Sequence, residues 1–124
     1  MAQTPFAIKR IYDSPEAGDG LRVLVDRLWP RGLRKEDAAI DLWLKAVTPS
    51  NELRKWIHAQ PEHRAEFRQR YFAELEQQPE AVRELREMGR SGRVTLLTAA
   101  KNIEQNHVLV LREYLLPPPA TAID

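Results

Sequence analysis

The chain has 124 residues, the size of one ordinary domain, and is 43% hydrophobic and 30% charged, a globular rather than disordered composition. Nineteen Lys and Arg stand against eighteen Asp and Glu, which excludes a generally basic nucleic-acid binder and leaves any electrostatic attraction to local clustering. Cysteine is absent, which removes disulfides, thiolate ligands and cysteine nucleophiles together.

The segment Met1 to Phe6 has no basic flank before an apolar run, and no apolar stretch approaches the ~20 residues of a membrane span. No signal peptide or membrane contact is therefore expected, and the expected location is cytoplasmic. Phe6 to Tyr12 predicts a first strand. Residues 13–20 (Asp-Ser-Pro-Glu-Ala-Gly-Asp-Gly) are dense in turn formers and predict a loop. Leu21 to Asp26 predicts a second strand, with Leu21, Val23 and Val25 on one side and Arg22 and Leu24 on the other. A parallel crossover needs about a dozen residues or more. The short gap makes these strands either antiparallel neighbours or not neighbours at all. Ile40 to Val47 fits two patterns: Ile40, Leu42 and Leu44 alternate as in a strand, whereas Ile40, Trp43, Leu44 and Val47 fit a helical stripe. The alternation and Pro49 favour the strand.

Thr48-Pro49-Ser50-Asn51-Glu52 is a helix-start cluster, and the helix it opens buries Leu53, Trp56 and Ile57. Pro61 restarts the chain into a helix with Phe67, Tyr71 and Leu75 on its buried stripe. Pro79 opens a short third helix with Val82, Leu85 and Met88, for which Gly89 stands in the position of a stop. Arg93 to Thr98 is the clearest strand, apolar on both sides and so expected at the centre of the sheet. Asn102 is expected to cap a last helix, with Gln105 as its box partner and Val108, Leu111 and Leu115 buried. The expected fold is α/β: a single small domain over residues 1–116, with a mostly parallel sheet of three or four strands packed by about four to five helices. Residues 117–124 are expected to form a flexible tail.

Two constellations could carry function. Asp26-Arg27-Leu28-Trp29-Pro30-Arg31-Gly32 follows a strand, where ligands of open α/β sheets bind. Arg27 and Arg31 offer fork-shaped donors to phosphate or carboxylate, Trp29 a flat face, and Gly32 a close approach of the backbone. The competing reading has Trp29 plugging the edge of the core and the arginines pairing with acids. Asp26 suits a positioning role better than that of a general base. The second constellation follows the clearest strand: small Ala99 and Ala100, then Lys101 and Asn102 at an expected helix start, where free N–H groups favour an anion. His107 could shuttle a proton, although a satisfied structural role is favoured for it. If the strands ending at Asp26 and Thr98 are parallel neighbours, both loops open on one rim. His58 and His63 have no third ligand at suitable spacing, so no metal site is expected. The arginines of the middle helices, Arg64 among them, are interleaved with glutamates and read as solvated faces.

Leu24-Val25-Asp26-Arg27-Leu28-Trp29-Pro30-Arg31-Gly32, then Trp43-Leu44-Lys45, Pro49-Ser50 with Leu53-Arg54, and Thr95-Leu96-Leu97 with Ala99-Ala100-Lys101 and Asn106-His107 carry a resemblance. In that order they resemble the short, YeaO-like branch of domain-of-unknown-function family 488, from about Ile8 to Tyr114. The resemblance implies a bacterial or archaeal cytosolic protein with a small α/β sheet, and brings no established activity. Longer relatives look as if they carry a helix between the first two strands and a Cys-His-Arg string after the last one. Neither is present here, so no thiol mechanism carries over.

The reading preferred on these grounds is a pocket for an anionic small molecule, a nucleotide or phosphorylated metabolite. Asp26 and His107 are its candidate catalytic groups, and Arg27, Trp29, Arg31, Gly32, Lys101 and Asn102 its candidate binding groups. A protein-interaction module or small homo-oligomer built on Trp29, Trp43 or Trp56 comes second. Weak nucleic-acid binding through the same turn with Arg22, Arg34 and Arg93 comes last.

Overall fold

The computed structural model describes residues 6–100 and 106–116. Its core is a four-stranded, all-parallel sheet in the order β1-β4-β2-β3, with β1 Phe6–Arg10, β2 Leu21–Leu24, β3 Leu42–Trp43 and β4 Val94–Thr98. Among the described residues four α-helices accompany it: α1 Asn51–Ala59, α2 Arg64–Glu76, α3 Pro79–Ser91 and α4 His107–Leu115. This is a small α/β domain, as the element pattern implies. Every residue of β4 is buried, in keeping with its two-sided apolar run.

The two faces of the sheet are covered differently. Phe6, Val23, Val25, Val94 and Leu96 point into the main core, where all four helices contribute their apolar stripes through residues such as Leu53, Tyr71, Leu85 and Leu111. On the other face Leu24, Leu97 and Ile11 pack against Trp29, Leu33, Ile40 and Trp43 from the chain that follows β2. The rest of that face lies under the loop joining β1 to β2.

That loop settles the first-gap question in favour of non-adjacent strands, since β1 and β2 flank β4 and both run parallel to it. Residues 11–20 must return the length of a strand and step over two strand spacings, about 26 Å in all, and ten extended residues reach about 33 Å. A helix is therefore dispensable, but the loop needs its own anchor. Asp19 supplies one. Its carboxylate accepts from Lys9 Nζ and Arg22 Nη1, its carbonyl accepts from Thr95 Oγ1 at 2.7 Å, and it is 6% exposed.

Strands β1 and β2 end two residues earlier than expected, at Arg10 and Leu24, and β4 begins one residue later, at Val94. Three other boundaries differ as well. Ile40 to Val47 is both patterns in miniature: the two-residue edge strand β3, then a 3-10 turn over Lys45–Val47. Helix α3 runs through Gly89 to Ser91, because Gly89 faces the ring of Phe6, whose Cζ would lie 2.6 Å from a Cβ there. The glycine makes room for a strand instead of ending a helix. Helix α4 starts at His107 under Asn106, whose side chain accepts from the Val108 N–H at 3.0 Å. The Asn102 cap with Gln105, and the tail at 117–124, lie outside the described residues. Among the described residues no helix is long and apolar enough to cross a membrane.

Candidate functional site

Strands β2 and β4 are adjacent and parallel, so the segments that follow them start on the same carboxyl rim of the sheet. The segment after β2 turns to the tryptophan face, whereas α4 packs on the helical face. Ligands of open α/β sheets bind at this rim. A cleft of about 680 Å³ lies there, the size of a small-molecule site. The turn after β2 forms one lip, with Asp26, Arg27, Trp29 and Arg31; Thr98 to Ala100 and His107 form the base. Helices α1, α2 and the start of α4 close the opposite wall.

Asp26 is the clip of this rim. Its Oδ1 accepts from Thr98 Oγ1 and its Oδ2 from the Ala99 N–H, both at 2.7 Å, while its carbonyl accepts from Trp43 Nε1 at 2.7 Å. The carboxylate thus ties the ends of β2 and β4 together, and it bonds neither Arg27 nor Arg31. Arg10 holds the same loop from outside, donating from Nε to the Ala100 carbonyl at 3.0 Å.

His107 donates from Nε2 to the Val25 carbonyl at 2.7 Å. A carbonyl only accepts, so this contact assigns the proton to Nε2 and leaves Nδ1 as the unprotonated nitrogen of a neutral ring. Asp26 Oδ1 lies 3.7 Å from Nε2, beyond hydrogen-bond distance, and the imidazole is 13% exposed. Burial pushes its pKa below the ordinary 6.5. The Val25 bond and the Asp26 charge act in the opposite sense, and the Arg54 charge adds to the lowering.

The arginines of the cleft are set apart by their clustering. Elsewhere some guanidinium groups meet carboxylates, as Arg22 with Asp19, Arg68 with Glu113, Arg70 with Glu66 and Arg34 with Asp37, and others hold backbone carbonyls, as Arg10 with Ala100 and Arg86 with Tyr114. Arg27, Arg31, Arg54 and Arg64 all line the cleft and none has an ion pair among the described residues. Arg27 Nε donates to the Pro49 carbonyl at 3.1 Å, and Arg54 Nη1 to Asn51 Oδ1 at 3.2 Å. Among the described lining residues Asp26 is the one carboxylate, and both its oxygens are engaged.

The α1 wall is itself held in place. Ser50 caps α1 by accepting from the Leu53 N–H, and Glu74 of α2 accepts from both the N–H and the hydroxyl of Ser50 at 2.8 and 2.6 Å. This clamp sets the azimuth of α1, so Arg54, Ile57 and His58, at i, i+3 and i+4, share the cleft face.

Of the residues singled out from sequence, Asp26, Arg27, Trp29, Arg31 and His107 meet at this cleft. Gly32 does not line it; its φ of 75° serves the turn, with open space around the α-carbon. Lys101 and Asn102 lie outside the described residues. Sequence reasoning weighed His58 only as a metal ligand, gave Arg54 no site role and assigned Arg64 to a solvated face. The stripe Arg54-Ile57-His58 was the available signal. Trp29 donates from Nε1 to the Leu33 carbonyl at 2.7 Å and meets Trp43 edge-on at 5.2 Å, with Lys35 over its ring. Most of its surface therefore already has an intramolecular partner. Arg22 is buried against Asp19 and Arg34 is paired, which divides the surface patch on which nucleic-acid binding would rest. Among the described residues no group of His, Asp and Glu could hold a metal ion.

Residues 5–121 match the family DUF488-N3i, described as the inactive DUF488-N3 subclade. The chain belongs to DUF488-N3i. It is 50% identical to the uncharacterized protein YeaO of Escherichia coli over 86% of this chain and 93% of that protein. It is 42% identical to the uncharacterized proteins Mb3100c of Mycobacterium bovis and Rv3073c of Mycobacterium tuberculosis, over 91% of this chain and 95% of each. No solved structure matches it.

Proposed function

We propose that the cleft is a binding pocket for an anionic small molecule, and that the chain holds this molecule without transforming it. The carrying observation is the convergence of Arg27, Arg31, Arg54 and Arg64 on one cleft without a carboxylate partner among the described residues. Four guanidinium groups gathered around one cleft repel one another, and an anion held between them offsets that repulsion. Binding is favoured over turnover for two reasons. Asp26 spends both oxygens on the loop, and His107 spends Nε2 on Val25, so both candidate catalytic groups have structural duties. The family description points the same way.

The test is thermal unfolding at low salt with inorganic pyrophosphate, for the wild type and an Arg31→Ala/Arg54→Ala variant. A ligand at a hundredfold excess over its Kd stabilises the folded state by about 2.7 kcal/mol, a rise of several degrees in Tm for a domain of this size. That rise is expected for the wild type and not for the variant. Equal shifts in both would refute the reading, and so would the absence of a shift with every phosphate and carboxylate tested.

A further inference from the structure

The first turn of helix α4 carries more apolar surface than the core takes up. Val108, Leu111 and Leu115 form its buried stripe and Val110 packs against the core beside it, yet Leu109 is apolar as well. An apolar residue off the buried stripe has a second surface to cover. Here that surface is the cleft: Leu109 and Val110 line it together with Ile57 and Phe67. Leu109 packs into neither core cluster, so its place is not explained by the fold. Across the opening, Leu28 stands on the lip at 65% exposure, the highest among the exposed large hydrophobics of the described residues. The cleft thus joins an apolar wall to a set of unpaired arginines.

We infer that the ligand is an amphiphilic anion: a phosphate or carboxylate group carrying a hydrocarbon substituent, rather than a sugar phosphate or an inorganic ion. The inference rests on the cleft being an anion pocket and goes beyond it in naming the ligand's other half. A sugar laid against Leu109, Val110 and Phe67 would leave hydroxyl groups without partners, whereas a hydrocarbon displaces water from that wall at no such cost. The aliphatic stems of Arg31 and Arg64 extend the apolar surface while their heads meet the anion.

Calorimetric titration with inorganic phosphate, glucose 6-phosphate, butyl phosphate, octyl phosphate and octanoate tests this. Affinity is expected to rise about fourfold per added methylene along the alkyl phosphates until the wall is covered. Octanoate against octyl phosphate identifies the preferred head group, and tighter binding of either than of inorganic phosphate supports the inference. Leu109→Gln should weaken octyl phosphate binding about tenfold and leave inorganic phosphate binding unchanged, because the lost contact is apolar. Arg54→Gln should weaken every ligand in the series, which separates a specific site from detergent-like adsorption. If inorganic phosphate and glucose 6-phosphate bind as tightly as octyl phosphate, the amphiphile is overturned while the anion pocket stands. If no anion binds, both fall. If the wild type is a dimer in light scattering that Leu109→Gln dissociates, a second copy covers the wall and the inference is overturned.

Discussion

Asp26 suits a positioning role better than that of a general base, and what it positions is the ends of two strands. Its removal leaves the Thr98 hydroxyl and the Ala99 N–H without their acceptor, at a cost of about 1–3 kcal/mol for a buried unpaired donor. Asp26→Ala should therefore lower stability by that amount in denaturant unfolding, while Arg31→Ala, exposed and unpaired, should stay within about 0.5 kcal/mol of the wild type. Equal effects would mean that Asp26 is no clip. His107 makes a second prediction at this scale. Its imidazole should titrate below 6.5 by NMR, and pyrophosphate should move the titration upward, because an anion beside Arg54 offsets one of the influences holding it down. A free-state value at or above 6.5 contradicts the buried neutral ring.

Among the elements, α3 is the clearest case of local signal and tertiary demand in conflict. Gly89 looks like a helix stop because glycine so often ends helices, yet the backbone stays helical and the missing side chain belongs to Phe6. Gly89→Ala gains up to about 1 kcal/mol of helix propensity and suffers overpacking of about 1–3 kcal/mol, so net destabilisation is expected. The combination Gly89→Ala with Phe6→Leu should recover part of the loss, and independent effects would show that the two residues do not compete for one space. Helix stripes and the β4 run were legible because burial on one face or on two writes a period into the residues. The stripe Arg54-Ile57-His58 was harder to read, because a charged and an apolar residue together on one face resemble ordinary amphipathic surface until a facing wall is known.

For the whole molecule, the covering of the second sheet face has consequences for acid stability. Burial by itself would raise the Asp19 carboxyl. The Glu16 N–H, Lys9 and Arg22 outweigh it and leave the pKa below the ordinary 3.8. A depressed carboxylate contributes stability that is present above 3.8 and lost as pH falls through its folded value. His107, depressed below 6.5, is neutral in the fold, so its contribution is complete above 6.5 and lost as pH falls below it. Stability should thus decline in two acid steps. His107→Gln should remove the first and Asp19→Asn should blunt the second, as read from denaturant midpoints across pH. A single step below pH 4 in the wild type would contradict the assignment to His107.

The sequence by itself determined the α/β class, the central place of β4, the apolar stripes of the helices and the turn from Asp26 to Gly32, because each of these is written in residues adjacent or periodic along the chain. Only the tertiary structure decided that residues 11–20 cross β4 with one 3-10 turn and no α-helix, that Asp26 serves Thr98 and Ala99, and that Arg54 and Arg64 join Arg27 and Arg31 around one cleft. These depend on contacts between segments far apart in the chain. Their geometry follows from sheet order and helix azimuth, which packing of the whole domain sets and no local pattern encodes.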